Sequence, residues 1–288
     1  MYECVIIGGG PAGMASALYL KRRGINPLII EEKALGGTLL LTDNIENYMG
    51  YLSISGFDLA SNMASQINNL DISIIYKKVL KVSFDKNFII DLGDLKINAK
   101  NVIVSSGKSF NKLKGSDKFL GKGVSYCAVC DGFFYKEKDV AVVGGGNSAF
   151  SEALYLSDLC DKVYVIVRGS IKADLILRDK VFNKENVFIV NASIKEFIGE
   201  DILSGVLLDN GDRLNLSGVF LAIGGKPNTD FLDIDLKTKN GYLVCDKSLM
   251  TSFNGLYGAG DVILKDYYQI MTAINDGIIA ALNVGDGK

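Results

Sequence analysis

Residues 5–13 read Val5-Ile6-Ile7-Gly8-Gly9-Gly10-Pro11-Ala12-Gly13. Three β-branched residues suit a buried strand, and the glycines after them end it. An apolar-periodic stretch to about Arg23 predicts a helix, and Leu28-Ile29-Ile30-Glu31 predicts a second strand. G-x-G-x-x-G between a strand and a helix is the turn that binds a dinucleotide. Each glycine has its own reason: Gly8 makes the turn, Gly10 lets a pyrophosphate approach the backbone at the helix N-terminus, and Gly13 lets helix and strand pack closely. Glu31, at the end of the second strand, is placed to accept the hydroxyls of an adenosine ribose.

The same unit recurs. Val140-Ala141-Val142-Val143 leads into Gly144-Gly145-Gly146-Asn147-Ser148-Ala149, then a helix to about Leu159 and a strand from Val163 to Val167. The acid is missing from this second copy, where Arg168 and Gly169 stand instead. Near the C-terminus Gly258-Ala259-Gly260-Asp261 closes a further strand, and a helix follows from about Gln269 to Asn283. This order predicts an α/β fold of two Rossmann-like, three-layer domains of the FAD/NAD(P)-binding type, the second inserted into the first. Residues 1–112 and 241–288 would form the outer domain and 113–240 the inserted one, with crossings near 111–118 and 236–242.

Composition narrows the chemistry. The chain of 288 residues is 48% hydrophobic and 22% charged, and it has no histidine, which excludes Ser-His and Cys-His pairs and any His-bearing metal site. The formal net charge is −2 and is balanced in both parts of the chain, so neither nucleic acid nor an anionic membrane is an expected partner. No apolar run has the length of a spanning helix. The N-terminus is apolar but glycine-studded and lacks a basic lead-in, so it reads as a strand and not as a signal peptide. Five cysteines without an export signal point to a cytoplasmic protein.

The one close cysteine pair lies in Cys127-Ala128-Val129-Cys130-Asp131-Gly132. Two intervening residues in a turn permit a reversible disulfide. A zinc site needs a second pair of ligands, whereas Cys4, Cys160 and Cys245 are scattered and read as packed thiols, so no metal is expected. Asp131 has two readings, a proton donor beside the pair or a helix N-cap.

From Gly121 through Phe133-Phe134-Tyr135 and on to Ala149, the chain closely resembles the low-molecular-weight thioredoxin reductases. The resemblance extends over essentially the whole chain, through Gly36-Gly37-Thr38-Leu39, Ile45-Glu46-Asn47-Tyr48-Met49-Gly50, Lys226-Pro227-Asn228-Thr229 and the Gly258 to Asp261 turn. It implies that the outer domain holds FAD at Gly8, Gly10, Pro11, Ala12, Gly13, Glu31, Glu32, Gly37, Thr38, Asn47, Gly107, Gly260, Asp261, Gln269 and Ile270. It further implies that Cys130 faces the flavin, that Cys127 attacks the disulfide of thioredoxin, and that Asp131 protonates the departing thiolate. Such enzymes are usually homodimers.

Thr38 stands where the family has Gln, Met49 where it has Pro, and Tyr268 where Arg is common. A fourth departure bears on the electron donor. Members that use NADPH carry His-Arg-Arg and a further Arg after the second strand of the inserted domain, and here Arg168-Gly169-Ser170-Ile171-Lys172 keeps one arginine and a lysine. Each lost charge-assisted contact to a 2′-phosphate costs about 1.5–3 kcal/mol, so NADP(H) is expected to bind weakly. NADH lacks the carboxylate that would take its ribose diol. The Gly144 to Ala149 turn then has a packing explanation as well as a nucleotide one. The chain resembles the ferredoxin-dependent subset of these reductases, which implies ferredoxin as donor. A conventional NAD(P)H-dependent thioredoxin reductase, a flavin dithiol oxidase and a non-catalytic FAD-bearing redox sensor are the other readings of the same residues.

Overall fold

The structure is a computed structural model that describes residues 1–42 and 45–285. The chain forms two compact units: Met1–Thr42, Tyr48–Ser109 and Lys226–Lys288 make the first, Asp43–Asn47 and Phe110–Gly225 the second. The second is thus inserted into the first. In the first unit β1 (Tyr2–Ile7) lies between β2 (Leu28–Glu31) and β6 (Lys96–Val104) in a parallel arrangement. Outward from these run β3 (Ser73–Tyr76) beside β2, and β5 (Phe88–Asp91) and β4 (Lys81–Phe84) beside β6. A short strand, Leu256–Gly258, pairs with the C-terminal end of β6.

Successive residues of a strand face opposite sides of its sheet. Cys4 and Ile6 pack into one core and Val5 and Ile7 into another, all at most 4% exposed. A parallel strand covered on both faces therefore reads as a continuous apolar run, which is what this sequence shows. On the first face α2 (Gly56–Asn68) packs through Ile67, and beside it lie α1 (Pro11–Arg22) and the C-terminal helix Ile270–Asn283. They meet through small residues, for a Cβ on Gly277 would fall 2.1 Å from the Ala12 carbonyl oxygen. The helix is tied to the Gly258 to Asp261 turn by Asp276, which is buried, accepts from the Gly260 N–H at 3.2 Å and pairs with Lys265 Nζ at 2.6 Å.

After β7 (Lys108–Phe110), the second unit repeats the plan. Its parallel sheet comprises β8 (Val124–Ser125), β9 (Asp139–Val143), β10 (Lys162–Ile166), β11 (Val187–Val190) and β15 (Gly218–Leu221), in the order β11-β10-β9-β15-β8. Between β11 and β15, β12 (Ile194–Gly199), β13 (Leu203–Leu208) and β14 (Arg213–Asn215) form an antiparallel sheet. This sheet covers one face through Phe197, Leu203, Val206 and Leu208. Two short helices, α3 (Ala128–Asp131) and α5 (Leu175–Phe182), flank α4 (Asn147–Ser157) on the other face, where Ala149, Phe150, Ala153 and Leu156 pack on the sheet.

The expected crossings at 112/113 and 240/241 fall at 109/110 and 225/226. The second is the larger displacement, and it has a physical cause. Val82 of β4 donates its N–H to the Phe231 carbonyl at 2.7 Å and accepts from the Asp233 N–H at 2.8 Å, while Asn228 N–H donates to Gly107 O at 3.0 Å. These long-range bonds fasten the stretch after Gly225 to the first unit. Among the described residues no helix is long and apolar enough to cross a membrane.

The Lys265–Asp276 pair gives a stability test. Asp276→Ala leaves a buried ammonium without its carboxylate, and urea unfolding should show a loss of about 3 kcal/mol. Lys265→Met combined with Asp276→Leu should recover most of it. An unchanged midpoint in Asp276→Ala would show that the pair does not anchor the helix.

Candidate functional site

In the first unit, glycine serves two different needs. Gly8 has φ +105°, and a Cβ on Gly13 would fall 1.9 Å from the Gly8 carbonyl oxygen, so the protein itself forbids side chains at both. Gly10 differs. Its φ is −72°, open to any residue, and a Cβ there meets nothing within 4 Å. The protein does not need glycine at this position, whereas a pyrophosphate lying against the backbone does. Across the gap Gly37, with φ +56°, would bring a Cβ to 3.3 Å from Gly10 Cα. Pro11 opens α1, no side chain caps its N-terminus and its first turn carries no acid, which leaves the positive end of the helix for an anion.

Glu31 is half-buried and fixed by two backbone donors, Gly9 N–H at 2.7 Å and Lys33 N–H at 2.9 Å. Each carboxylate oxygen keeps a lone pair for a hydroxyl. Gly260, with φ +78°, packs against Ala12, and a Cβ there would lie 2.9 Å from the Ala12 Cβ. Asp261 pairs with Lys108 at 3.6 Å. The same ammonium sits 4.1 Å over the Tyr268 ring, whose hydroxyl is pushed up to about 12 mainly by burial. Gly107 has φ +65°. Gln269 caps the C-terminal helix in a reciprocal box with Thr272, so its side chain serves the helix, with Ile270 as the first helical residue. Glu32 is exposed and lies 4.0 Å from Lys78, and Thr38 is exposed in the turn Gly37–Leu41. Asn47 falls in the short segment that groups with the second unit. The open position at Gly10, the uncapped start of α1 and the oriented Glu31 carboxylate are the chemistry that an adenine dinucleotide would need.

The second unit carries the thiol chemistry. Cys127 and Cys130 form a disulfide with their Cα atoms 5.3 Å apart, as the spacing permits. Cys127 is the N-cap of α3 and its sulfur accepts the Cys130 N–H at 3.2 Å. Asp131 makes no side-chain cap bond, which removes the capping reading. Its carboxylate instead accepts from the Ser125 hydroxyl at 2.6 Å, and Ser125 also accepts the Cys127 N–H at 3.0 Å. Burial pushes the Asp131 carboxyl above its ordinary range, against the opposing effect of the Ser125 bond. A carboxyl group of raised proton affinity next to the cysteine pair in the chain is suited to give a proton to a departing thiolate. The other three cysteines are packed thiols as expected: burial pushes Cys160 up to about 11, Cys245 up to about 12, and Cys4 higher still.

The second glycine turn divides in the same way as the first. Gly144 has φ +147° and a Cβ there would fall 2.5 Å from Ala222 O, so packing accounts for it. A Cβ on Gly146 meets nothing within 4 Å, so packing does not account for that glycine. The loop after β10 folds back on the turn, with Lys172 and Ala173 N–H groups on Gly145 O at 2.6 and 3.0 Å. Arg168 and Lys172 are exposed, and Asp174 is held against Asn147 by a reciprocal pair of bonds at 2.8 Å.

Sequence reasoning missed Ser125 and Lys108. A lone serine or lysine carries no pattern. The available signal was the position of Ser125 inside the stretch around the cysteine pair.

The profile of the pyridine nucleotide-disulphide oxidoreductase family matches residues 2–277. The thioredoxin reductase of Ureaplasma parvum is 40% identical over 98% of this chain and 95% of its own length. The crystal structure of thioredoxin reductase from Streptococcus pyogenes superposes with a TM-score of 0.94 at 38% identity, covering 99% of this chain and 97% of that one. A ferredoxin-flavin thioredoxin reductase from Clostridium acetobutylicum is 31% identical with a TM-score of 0.56, covering 99% and 96%. The chain belongs to the pyridine nucleotide-disulphide oxidoreductase family, among its low-molecular-weight thioredoxin reductases.

Gly10 and Gly13 are separable by substitution. Gly10→Val should fold, with a far-ultraviolet spectrum and melting temperature near those of the parent, yet purify without flavin colour. Gly13→Val should fail to fold, because its side chain meets the Gly8 carbonyl. Stoichiometric FAD in folded Gly10→Val protein would contradict the assignment of the cradle.

Proposed function

We propose that this protein is an FAD-dependent thioredoxin reductase. The observation that carries the reading is the Cys127–Cys130 disulfide with a half-buried acid, Asp131, next to it and held by Ser125. Bound FAD would supply storage for two electrons that enter singly or as a pair. Gly8 to Gly13, Glu31, Gly37, Gly260 and Asp261 would hold it. In the dithiol state, the Cys127 thiolate attacks one sulfur of the thioredoxin disulfide; the sulfur–sulfur bond breaks and the departing thiolate takes the Asp131 proton. Cys130 then attacks Cys127, its own proton passing by way of Asp131 to the second departing sulfur. One disulfide closes on the enzyme as one opens on thioredoxin, a transfer of two electrons and two protons.

For the donor, the reading that follows from the thin clamp is reduced ferredoxin. Arg168 and Lys172 stand alone where a 2′-phosphate would be gripped, and the Asp174 carboxylate is fixed beside the same turn. One observation favours a pyridine nucleotide instead, the open slot at Gly146, which packing leaves unexplained. The two readings separate cleanly in anaerobic stopped-flow. Flavin bleaching by reduced ferredoxin, with little by NADPH or NADH at concentrations that saturate ordinary relatives, is the outcome for ferredoxin. Rapid bleaching by NADPH or NADH, lost in Gly146→Val, would overturn it. The expected homodimer belongs to this reading and is measured by sedimentation.

The two cysteines have separable roles. With a single-cysteine thioredoxin activated as its thionitrobenzoate mixed disulfide, reduced Cys130→Ser should accumulate a stable covalent complex. Cys127→Ser should form little. The opposite pattern would invert the assignment.

A further inference from the structure

We propose that Ser125 is a positioning residue that sets the proton affinity and aim of Asp131, an inference that rests on the thioredoxin reductase reading above. Ser125 is 4% exposed and ends β8, where Phe220 of β15 is its register partner. Its hydroxyl has one proton and two lone pairs. The proton has two acceptors within reach, the Asp131 carboxylate at 2.6 Å and the Cys127 carbonyl at 3.4 Å, and the shorter contact identifies the first as its partner. One lone pair takes the Cys127 N–H at 3.0 Å. A single buried hydroxyl thus fixes the acid and the backbone of the attacking cysteine to each other.

The arrangement follows the protonation of Asp131. While the carboxylate is charged, Ser125 donates to it and favours the charged form, opposing the effect of burial. Once Asp131 is protonated, its own O–H is able to donate to the Ser125 oxygen, and the serine proton is released towards the Cys127 carbonyl. The hydroxyl therefore has a donor and an acceptor in both states. No covalent or electron-transfer step is added to the reaction; Ser125 aims the proton that Asp131 gives.

Among the described residues, Cys127 and Cys130 lie on the same turn as Asp131, Tyr135 in the turn Gly132–Tyr135 feels its charge, and α4, packed against α3, carries Glu152 and also Tyr155, which lies against Gly132. Burial pushes Tyr135 up to about 12, so it stays neutral where Asp131 titrates.

The test uses full-length, FAD-loaded protein reduced by light under argon and mixed with oxidised thioredoxin, so that no donor enters the measurement. Single-turnover rates of thioredoxin reduction are followed from pH 5 to pH 10. If Asp131 must be protonated, the rate falls on an alkaline limb. Ser125→Ala removes the bond that favours the charged form, so the limb should move to higher pH and the plateau rate should drop about tenfold. Ser125→Thr, which keeps a hydroxyl, should restore the limb to its original pH. An unmoved limb in Ser125→Ala, with Asp131→Asn abolishing it, would overturn the role of Ser125 and leave Asp131 as the acid. A limb that persists in Asp131→Asn would overturn both. As a second readout independent of thioredoxin, the pH dependence of Cys127 alkylation in the reduced protein should shift in Ser125→Ala, and an unshifted profile would also count against the proposal.

Discussion

The Gly8 carbonyl oxygen occupies the place where a side chain on residue 13 would begin. Because that contact admits no Cβ, α1 lies directly on the end of β1, and its free N-terminal groups point into the space that Gly10 and Gly37 leave open. The placement of Glu31 follows, since the Gly9 N–H that orients its carboxylate belongs to the same turn. The second unit meets the same constraint differently. Its third position is Ala149, and the constraint falls on its first glycine alone, Gly144, at φ +147° with Ala149 and Ala222 against it, whereas the first unit constrains both Gly8 and Gly13. What both turns share is an open second glycine, which separates the requirements of the chain from the requirements of a ligand.

The thiol site rests on a balance of two effects on one carboxyl group. Burial raises the proton affinity of Asp131, and the short contact from the Ser125 hydroxyl opposes it. The disulfide is local, as its close sequence spacing requires, so the dithiol does not depend on a distant part of the chain for its geometry. By contrast, Cys4, Cys160 and Cys245 sit in apolar packing that raises their thiols and removes them from the chemistry.

The strand, glycine turn and helix of each unit were legible because their signals are local: β-branched runs, glycines at fixed offsets and apolar helix faces. The cysteine pairing was legible for the same reason. The return of the chain at 225/226 was not, because it is decided by hydrogen bonds from Val82 to residues 231 and 233, which no local pattern announces. Asp131 stood open between cap and acid: it does sit at the start of the turn Gly132–Tyr135, but its carboxylate takes the Ser125 hydroxyl and makes no cap bond. Ser125 was invisible for a simpler reason. A serine at the end of a two-residue strand has the same sequence signature whether its hydroxyl is solvated or locked between an acid and a peptide N–H. The single arginine and lysine at 168 and 172 were visible in the sequence, but the open slot at Gly146 is a property of three-dimensional space.

The central claim is that electrons leave this protein as one dithiol, Cys127 and Cys130, exchanged for one disulfide of thioredoxin. Protein reduced by light to two electrons per chain, so that no reduced flavin is left to re-form the dithiol, mixed with one equivalent of oxidised thioredoxin, then quenched with an alkylating reagent and measured by mass spectrometry, tests it directly. The account predicts that Cys127 and Cys130 lose their alkyl labels at the rate at which thioredoxin gains two. Thioredoxin thiols that appeared while Cys127 and Cys130 stayed reduced, or that appeared with a variant lacking both cysteines, would contradict it.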